Sequence, residues 1–583
     1  MFTSRKRRVA VGLSVLAVAA VAVVASVGVG GAAARTAKPA TAAAGLPRDT
    51  TLYTTGTQWG TYSDLNPFKT WDYVTGLVGL VYEPMFNYNP LKDKYTPWLA
   101  TKGSWIQKNV YRATIRTGVT WSDGKPLTPA DVKFTFETGK IATATFHQLW
   151  TSGLKSITTK GNDVTFTFST TPNYQEFNGY LYNIAIVPQH VWKRYTPDQI
   201  TSGNLASTKQ MVGTGPYTYG SGLNSKQSFT WKKRSGWWAT GVYGLNPKPQ
   251  YIVDIFNGSN NASLANLLAG NIDLSNNFVP GINTKVGSKI TTYYPSAPYM
   301  LSGNTAWLVP NLTRAPLSDV QFRHALAASI DVNKIVEADY GHIVSPANPT
   351  GLLPVWKKYI DNSMVQKYGF TFDVSKAKSI LAAAGYKDTN GDGYVENKDG
   401  STLNLSLIVP NGWSDWMTAI QIIADSAKAA GIKITPTYPD YNTLVDDRGH
   451  GNYDLVINND QQIGNTPWTY YNYMFRLPLS DNQTTVNYER YNNPAAWALT
   501  QQLDKVNTVP AMQKITSQLQ SIFLQDLPLI PLWYNGVWAQ ANTGHWKSWP
   551  TVSSSKLQTL PAMWRGYLQM GGINMISNLQ PGK

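Results

Sequence analysis

The chain has no cysteine among its 583 residues. That excludes disulfides, thiol catalysis, thiolate-held zinc and a lipid-modified cysteine behind an export leader. Charge is scarce as well: Asp, Glu, Lys and Arg together make up 14%, and only 34 residues are acids, so polarity falls to Asn, Gln, Ser and Thr. The six histidines are scattered, with no HExxH pair, and there is no GxSxG elbow. SxxK matches at 152–155 and 375–378 lack a KTG partner and count as chance. Beyond residue 31 no apolar run is long enough to span a bilayer.

What is present begins with an export signal. Arg5-Lys6-Arg7-Arg8 precedes an apolar run over 9–31, with Ala-x-Ala cleavage options at 32–34 and 42–44. The run is either cleaved or kept as an anchor with an Ala/Thr/Pro tether, and the body is expected to be extracytoplasmic. Removing the first 44 residues takes away six basic residues and no acid, so the net charge of +16 falls to +10. The remaining basic residues stand singly or in short groups such as Lys232-Lys233-Arg234, unlike a nucleic-acid footprint. A chain of this length is expected to form two or three lobes.

Strand signals appear at 51–55, 111–116 and 164–168, and the apolar stretch 73–82 reads as a buried helix. Thr128-Pro129-Ala130-Asp131 opens a helix, with Thr128 as N-cap and Pro129 at the first position. Further helices are expected at 257–270, 317–330 and 373–384. Strand 403–409, a helix over 415–430 capped by Ser414, and strand 432–436 form a β-α-β unit, which implies a parallel pair in a Rossmann-like lobe. A last apolar strand lies at 528–533.

Aromatics are abundant, with 21 Trp and 33 Tyr, and they gather most tightly in residues 458–475. That stretch holds the amides Asn458, Asn459, Gln461, Gln462, Asn465 and Asn472 beside Trp468, Tyr470, Tyr471, Tyr473 and Phe475. It has one acid, Asp460, and no Lys or Arg. Flat apolar faces for C–H patches and amides for hydroxyls suit a neutral polyhydroxylated ligand. An irregular loop pinned by aromatics is the plainer alternative. Trp413 and Trp416 flank the start of the 415–430 helix, where a parallel strand–helix unit presents side chains to a cleft.

Residues 388–399 (DTNGDGYVENKD) carry oxygen ligands at EF-hand spacing: Asp388, Asn390, Asp392, Tyr394 and Glu396, with Asp399 at the twelfth position. The flanks read helix then strand, so the two readings are a calcium-stapled loop and a metal-free turn.

Several landmarks, in order, resemble the family 5 extracellular solute-binding proteins of ABC importers, which include oligopeptide, dipeptide, nickel and cello-oligosaccharide receptors. They are Trp121-Ser122-Asp123-Gly124-Lys125-Pro126, Ile186-Val187-Pro188, Gly213-Thr214-Gly215-Pro216-Tyr217, Ala315-Pro316-Leu317-Ser318-Asp319-Val320 with Phe322-Arg323-His324-Ala325-Leu326, and Ile530-Pro531-Leu532-Trp533. The resemblance implies an α/β, two-lobed periplasmic-binding-protein-like fold (type II, cluster C) with a hinge-closed cleft. Lobe I would comprise 45–81, 205–305 and 530–583, lobe II would comprise 306–529, and an extra α+β subdomain 82–204. It also implies a monomeric, non-enzymatic receptor that hands its ligand to an ABC permease.

Peptide receptors of this family keep an acid for the peptide's amino terminus just past the strand that here reads Tyr453-Asp454-Leu455-Val456-Ile457. This chain reads Gln461-Gln462-Ile463-Gly464-Asn465 there, with Asp460 the nearest acid. An oligosaccharide of cello-oligosaccharide type is therefore the expected ligand and an oligopeptide the alternative. Trp59 and Asn66 of the first loop, and Trp307, Trp533 and Tyr534 near the expected hinge, join Trp413, Trp416, Gln461, Asn465, Trp468 and Asn472 as candidate ligand contacts. A secreted glycoside hydrolase is the alternative from another class. It needs two carboxylates astride the bond, and the aromatic stretches offer only Asp415 and Asp460.

Overall fold

The computed structural model describes residues 46–55, 65–69, 74–144, 146–203, 211–220, 228–554 and 571–582. The leader and Trp59 lie outside the described residues. Two sheets organise the body. One has seven strands, in the order Ile290–Thr292, Gln540–Asn542, Leu274–Ser275, Thr51–Thr55, Tyr251–Ile255, Ser228–Lys233, Tyr217–Tyr219. The other has six, in the order Ser345–Pro346, Ile530–Val537, Leu301–Pro310, Leu455–Asn458, Leu405–Ile408, Ile434–Thr437.

The β-α-β reading holds in the second sheet, where Leu405–Ile408 pairs in parallel with Ile434–Thr437 and also with Leu455–Asn458. The helix between them, Ser414–Ala429, buries Trp416, Ala419, Ile420, Ile423 and Ala427, a spacing of three and four that turns one face to the core. Its start differs from expectation. Trp413 is the N-cap, without a side-chain hydrogen bond, and Ser414 is the first helical residue.

A four-stranded antiparallel sheet, Ala100–Gln107, Val110–Ile115, Asp163–Phe168 and Leu154–Lys160, forms a separate layer within 82–204. Val164, Phe166 and Phe168 alternate inward, and Phe166 meets Phe136 of helix Pro129–Glu137 edge-on at 5.0 Å. That helix opens at Thr128 and Pro129 as expected, with a capping box in which the Thr128 amide donates to Asp131 Oδ2 at 2.8 Å.

Two readings change. The 73–82 stretch is not a regular helix: Val78 and Gly79 have non-helical dihedrals, and the chain kinks there. The kink fits under the Gly213-Thr214-Gly215 turn, where a side chain at Gly213 would sit 2.0 Å from the Val81 carbonyl oxygen. The strand starting at Ile530, assigned from the sequence to lobe I, lies instead in the six-stranded sheet. It pairs antiparallel with Leu301–Pro310 from Leu308↔Ile530 to Leu301↔Val537. Only at Gln540–Asn542 has the chain joined the seven-stranded sheet. This strand pair is therefore the physical link between the two lobes.

Candidate functional site

Beside that strand pair lies a partly open cavity. The seven-stranded lobe contributes Asn260, Asn276, Asn277 and Phe278. From the six-stranded lobe come Asn304, Trp413, Asp415, Trp416, Tyr441, Asn459 and Asp460, and Asn535, Gly536 and Trp538 line it at the crossing. Local structure explains the placement. Ser259 caps helix Asn260–Ala269 and so puts Asn260 on its first turn. Asn276 and Asn277 follow strand Leu274–Ser275, and Asn459 follows Leu455–Asn458. Each sits where a strand or helix end opens to the cleft.

The amides are interlinked. Asn459 Nδ2 donates to Asn304 Oδ1 and Asn304 Nδ2 to Gln462 Oε1, both at 3.2 Å. Asn276 Nδ2 donates to the Trp538 carbonyl at 2.7 Å, and Asn277 Nδ2 to Ser263 Oγ at 3.1 Å. Asn260 Oδ1 and Asn276 Oδ1 are buried acceptors with no donor among the described residues. Leaving a buried acceptor without a donor costs about 1–3 kcal/mol. Half-buried Trp413 stacks on Tyr441 (6.0 Å, 17°) and meets Trp416 edge-on at 4.7 Å, while Phe278 meets Trp538 at 5.4 Å.

Among the described residues, two acids and no basic residue line the cavity. Asp415 Oδ1 accepts from Asn260 Nδ2 at 2.7 Å and Oδ2 from the Tyr340 hydroxyl at 2.9 Å, and burial pushes its carboxyl up to about 6. Asp460 Oδ2 meets Arg448 Nη2 at 3.0 Å, with the two side chains 13% and 6% exposed. The anion is thus paired inside the protein.

Of the expected residues that are described, Trp413 and Trp416 line this cavity. Trp307 does not, being 1% exposed and packed against Tyr470 and Phe523 in the core. Trp533 is wholly buried against Tyr340. Tyr534 is 6% exposed and spends its hydroxyl on the Leu352 carbonyl and the Asn348 amide. These three are corrected to core positions, because at Trp307, Trp533 and Tyr534 the crossing strands are packed against neighbouring side chains. Asn66 is also corrected: it is fully buried, and its Nδ2 reaches the Ile200 and Gly203 carbonyls, tying the first loop to the 82–204 layer.

In 458–475 the cleft-facing part is Asn459 and Asp460. Trp468 starts helix Trp468–Phe475, whose aromatics are buried, so it is a core residue. Gln461 donates to the Gln462 carbonyl, Asn465 Oδ1 accepts from the Tyr182 hydroxyl, and Asn472 is half-buried; none of them lines this cavity. The lobe I asparagines were missed, although a signal existed. Three of the chain's four Asn-Asn pairs, at 260–261, 276–277 and 458–459, put a side chain into the cavity.

In the 388–399 loop, the carboxylates of Asp388, Asp392 and Glu396 offer oxygens within 4.8 Å of one another. Asp388 accepts from the amides of Gly391 and Gly393, and Glu396 from Thr389 and Asn390. Asp399 turns away to Ser401 and is corrected out of the set; Tyr394 would contribute its carbonyl. This all-oxygen set fits calcium.

The model for bacterial extracellular solute-binding proteins, family 5 (Middle), matches residues 94–479. A probable ABC transporter-binding protein of Deinococcus radiodurans is 26% identical over 68% of this chain and 71% of its own length. The oligopeptide-binding protein AppA of Bacillus subtilis is 25% identical over 73% and 75%. A solved Thermotoga maritima structure, described as a mannohexaose-bound periplasmic oligopeptide-binding protein of an ABC transporter, superposes with a TM-score of 0.85. It is 38% identical and covers 92% of this chain and 99% of its own. The two-lobed fold is that of these proteins, and the chain belongs to family 5 of the bacterial extracellular solute-binding proteins.

Proposed function

We propose that this chain is the extracytoplasmic receptor of an ABC importer and captures a neutral oligosaccharide of β-linked, cello-oligosaccharide type. One observation carries the reading: among the described residues the cavity is walled by six asparagines and five aromatics, with no Lys or Arg. Aromatic faces hold the C–H patches of pyranose rings, and the orphaned amide oxygens take hydroxyl protons. Ligand contacts to both lobes favour the closed state, so binding and closure are one equilibrium. The mannohexaose in the Thermotoga maritima neighbour supports a sugar over a peptide. The ligand leaves unaltered to a membrane permease, the receptor acts as a monomer, and the 388–399 loop holds a structural calcium ion. Among the described residues no helix is long and apolar enough to cross a membrane. Tryptophan fluorescence tests the reading: cello- or manno-oligosaccharides should give saturable quenching that short peptides do not.

A further inference from the structure

The carboxylate of Asp460 faces the cavity, but its counter-ion does not. Arg448 lies in the last turn of helix Tyr441–His450 and is buried, and it is absent from the cavity wall. Its guanidinium meets Asp460 Oδ2 at 3.0 Å, lies over the Tyr488 ring at 4.1 Å and donates to Asn458 Oδ1. The Tyr488 hydroxyl lies 3.3 Å from the same oxygen but is nearer the Thr484 carbonyl, to which it donates at 2.7 Å. Arg448 is thus the internal donor to Oδ2, while Oδ1 has no donor among the described residues.

From this we infer that Arg448 is a specificity-determining residue: by cancelling the charge of Asp460 from outside the cavity, it makes the cleft select uncharged sugars over amine-bearing ligands of the same shape. The inference rests on the sugar reading above. A ligand ammonium brought to Asp460 would share one carboxylate with a guanidinium already 3.0 Å away. In a buried site of low effective dielectric, the repulsion between the two cations offsets the attraction. A hydroxyl needs only a lone pair, and a carboxylate held by an internal cation still provides one at Oδ1. Asp415, the second acid among the described residues of the wall, is buried and already accepts from Asn260 and Tyr340. Removing the guanidinium would leave Asp460 an uncompensated anion facing the ligand, and the cleft would turn cation-accepting.

The test is calorimetric titration with two ligands of one length and linkage, cellotetraose and its β-1,4-linked glucosamine counterpart, at a pH where the amines are protonated. The wild-type chain should bind the neutral sugar at least roughly tenfold more tightly. Arg448→Met, and Arg448→Gln, which keeps a donor toward Asp460 and Asn458, should each shift the ratio toward the amino sugar by about tenfold or more. Adding Asp460→Asn to either variant should restore the neutral preference. An unchanged ratio in a folded Arg448 variant overturns the inference while leaving the sugar reading intact. Equal or tighter binding of the amino sugar by the wild-type chain also overturns it, and that arm decides the matter if neither Arg448 variant folds. Failure of the wild-type chain to bind either sugar overturns this inference together with the cello-oligosaccharide assignment it rests on.

Discussion

Asn260 of the seven-stranded lobe donates a 2.7 Å hydrogen bond to Asp415 of the six-stranded lobe. The backbone repeats the link, with the Asn260 amide donating to the Gly412 carbonyl at 3.1 Å. Gly412 has φ +90°, and a Cβ there would lie 2.3 Å from the Gly258 carbonyl oxygen, so the lobes touch where only glycine fits. The structure is that of a clamp with its jaws in contact.

Asn260→Ala should therefore weaken ligand retention. It removes a donor to a buried carboxylate, worth about 1–3 kcal/mol, and the loss should appear chiefly as faster dissociation. Stopped-flow release of bound sugar measures it. An unchanged release rate would mean that this contact does not hold the lobes.

Trp413→Ala and Trp307→Ala should separate binding from folding. Trp413 is half-buried in the cavity wall, so its loss should weaken sugar binding by roughly tenfold or more with little change in melting temperature. Trp307 is core, and its loss should cost about 3–5 kcal/mol of stability. Paired titrations and thermal melts read both.

Behind the latch sits a second acid. Burial, reinforced by the neighbouring Asp415 charge, pushes the Asp339 carboxyl up to about 9, and its Oδ2 is buried without a partner among the described residues. An acid with a raised folded pKa stabilises the fold at low pH, where the folded chain keeps the proton. That contribution fades as pH rises through about 6 for Asp415 and about 9 for Asp339. Melting temperature should thus fall across this window, and Asp339→Asn should flatten the upper part and raise stability at alkaline pH. A profile identical to the wild type's would contradict the assignment.

Calcium should raise the melting temperature and chelator should lower it, with both effects lost in Asp392→Ala. Asp399→Ala should keep them, since Asp399 bonds Ser401 in its own turn. Equal melts with and without calcium would leave 388–399 as a metal-free turn.

Much of the fold was legible because it rests on local signals: the N-cap at Thr128, the β-α-β order around Ser414–Ala429, and alternation in Val164–Phe168. Trp413 and Trp416 were legible for the same reason, since their position at a strand–helix junction fixes which way they face. Trp307, Trp533 and Tyr534 were not, because an apolar run does not tell a cleft-facing strand from one packed against neighbouring side chains. Trp468 misled because the helix it begins buries Tyr470, Tyr471, Tyr473, Met474 and Phe475 around most of its circumference. The lobe I asparagines escaped because a cavity wall is assembled from chain ends far apart in sequence, as Asn260 and Asp415 show.

The most direct test of the account is an equilibrium titration of the purified chain against a panel of neutral β-linked oligosaccharides and a panel of short peptides, with binding heat as the readout. The account predicts saturable binding of at least one sugar and none of the peptides. Saturable binding of peptides alone would contradict it.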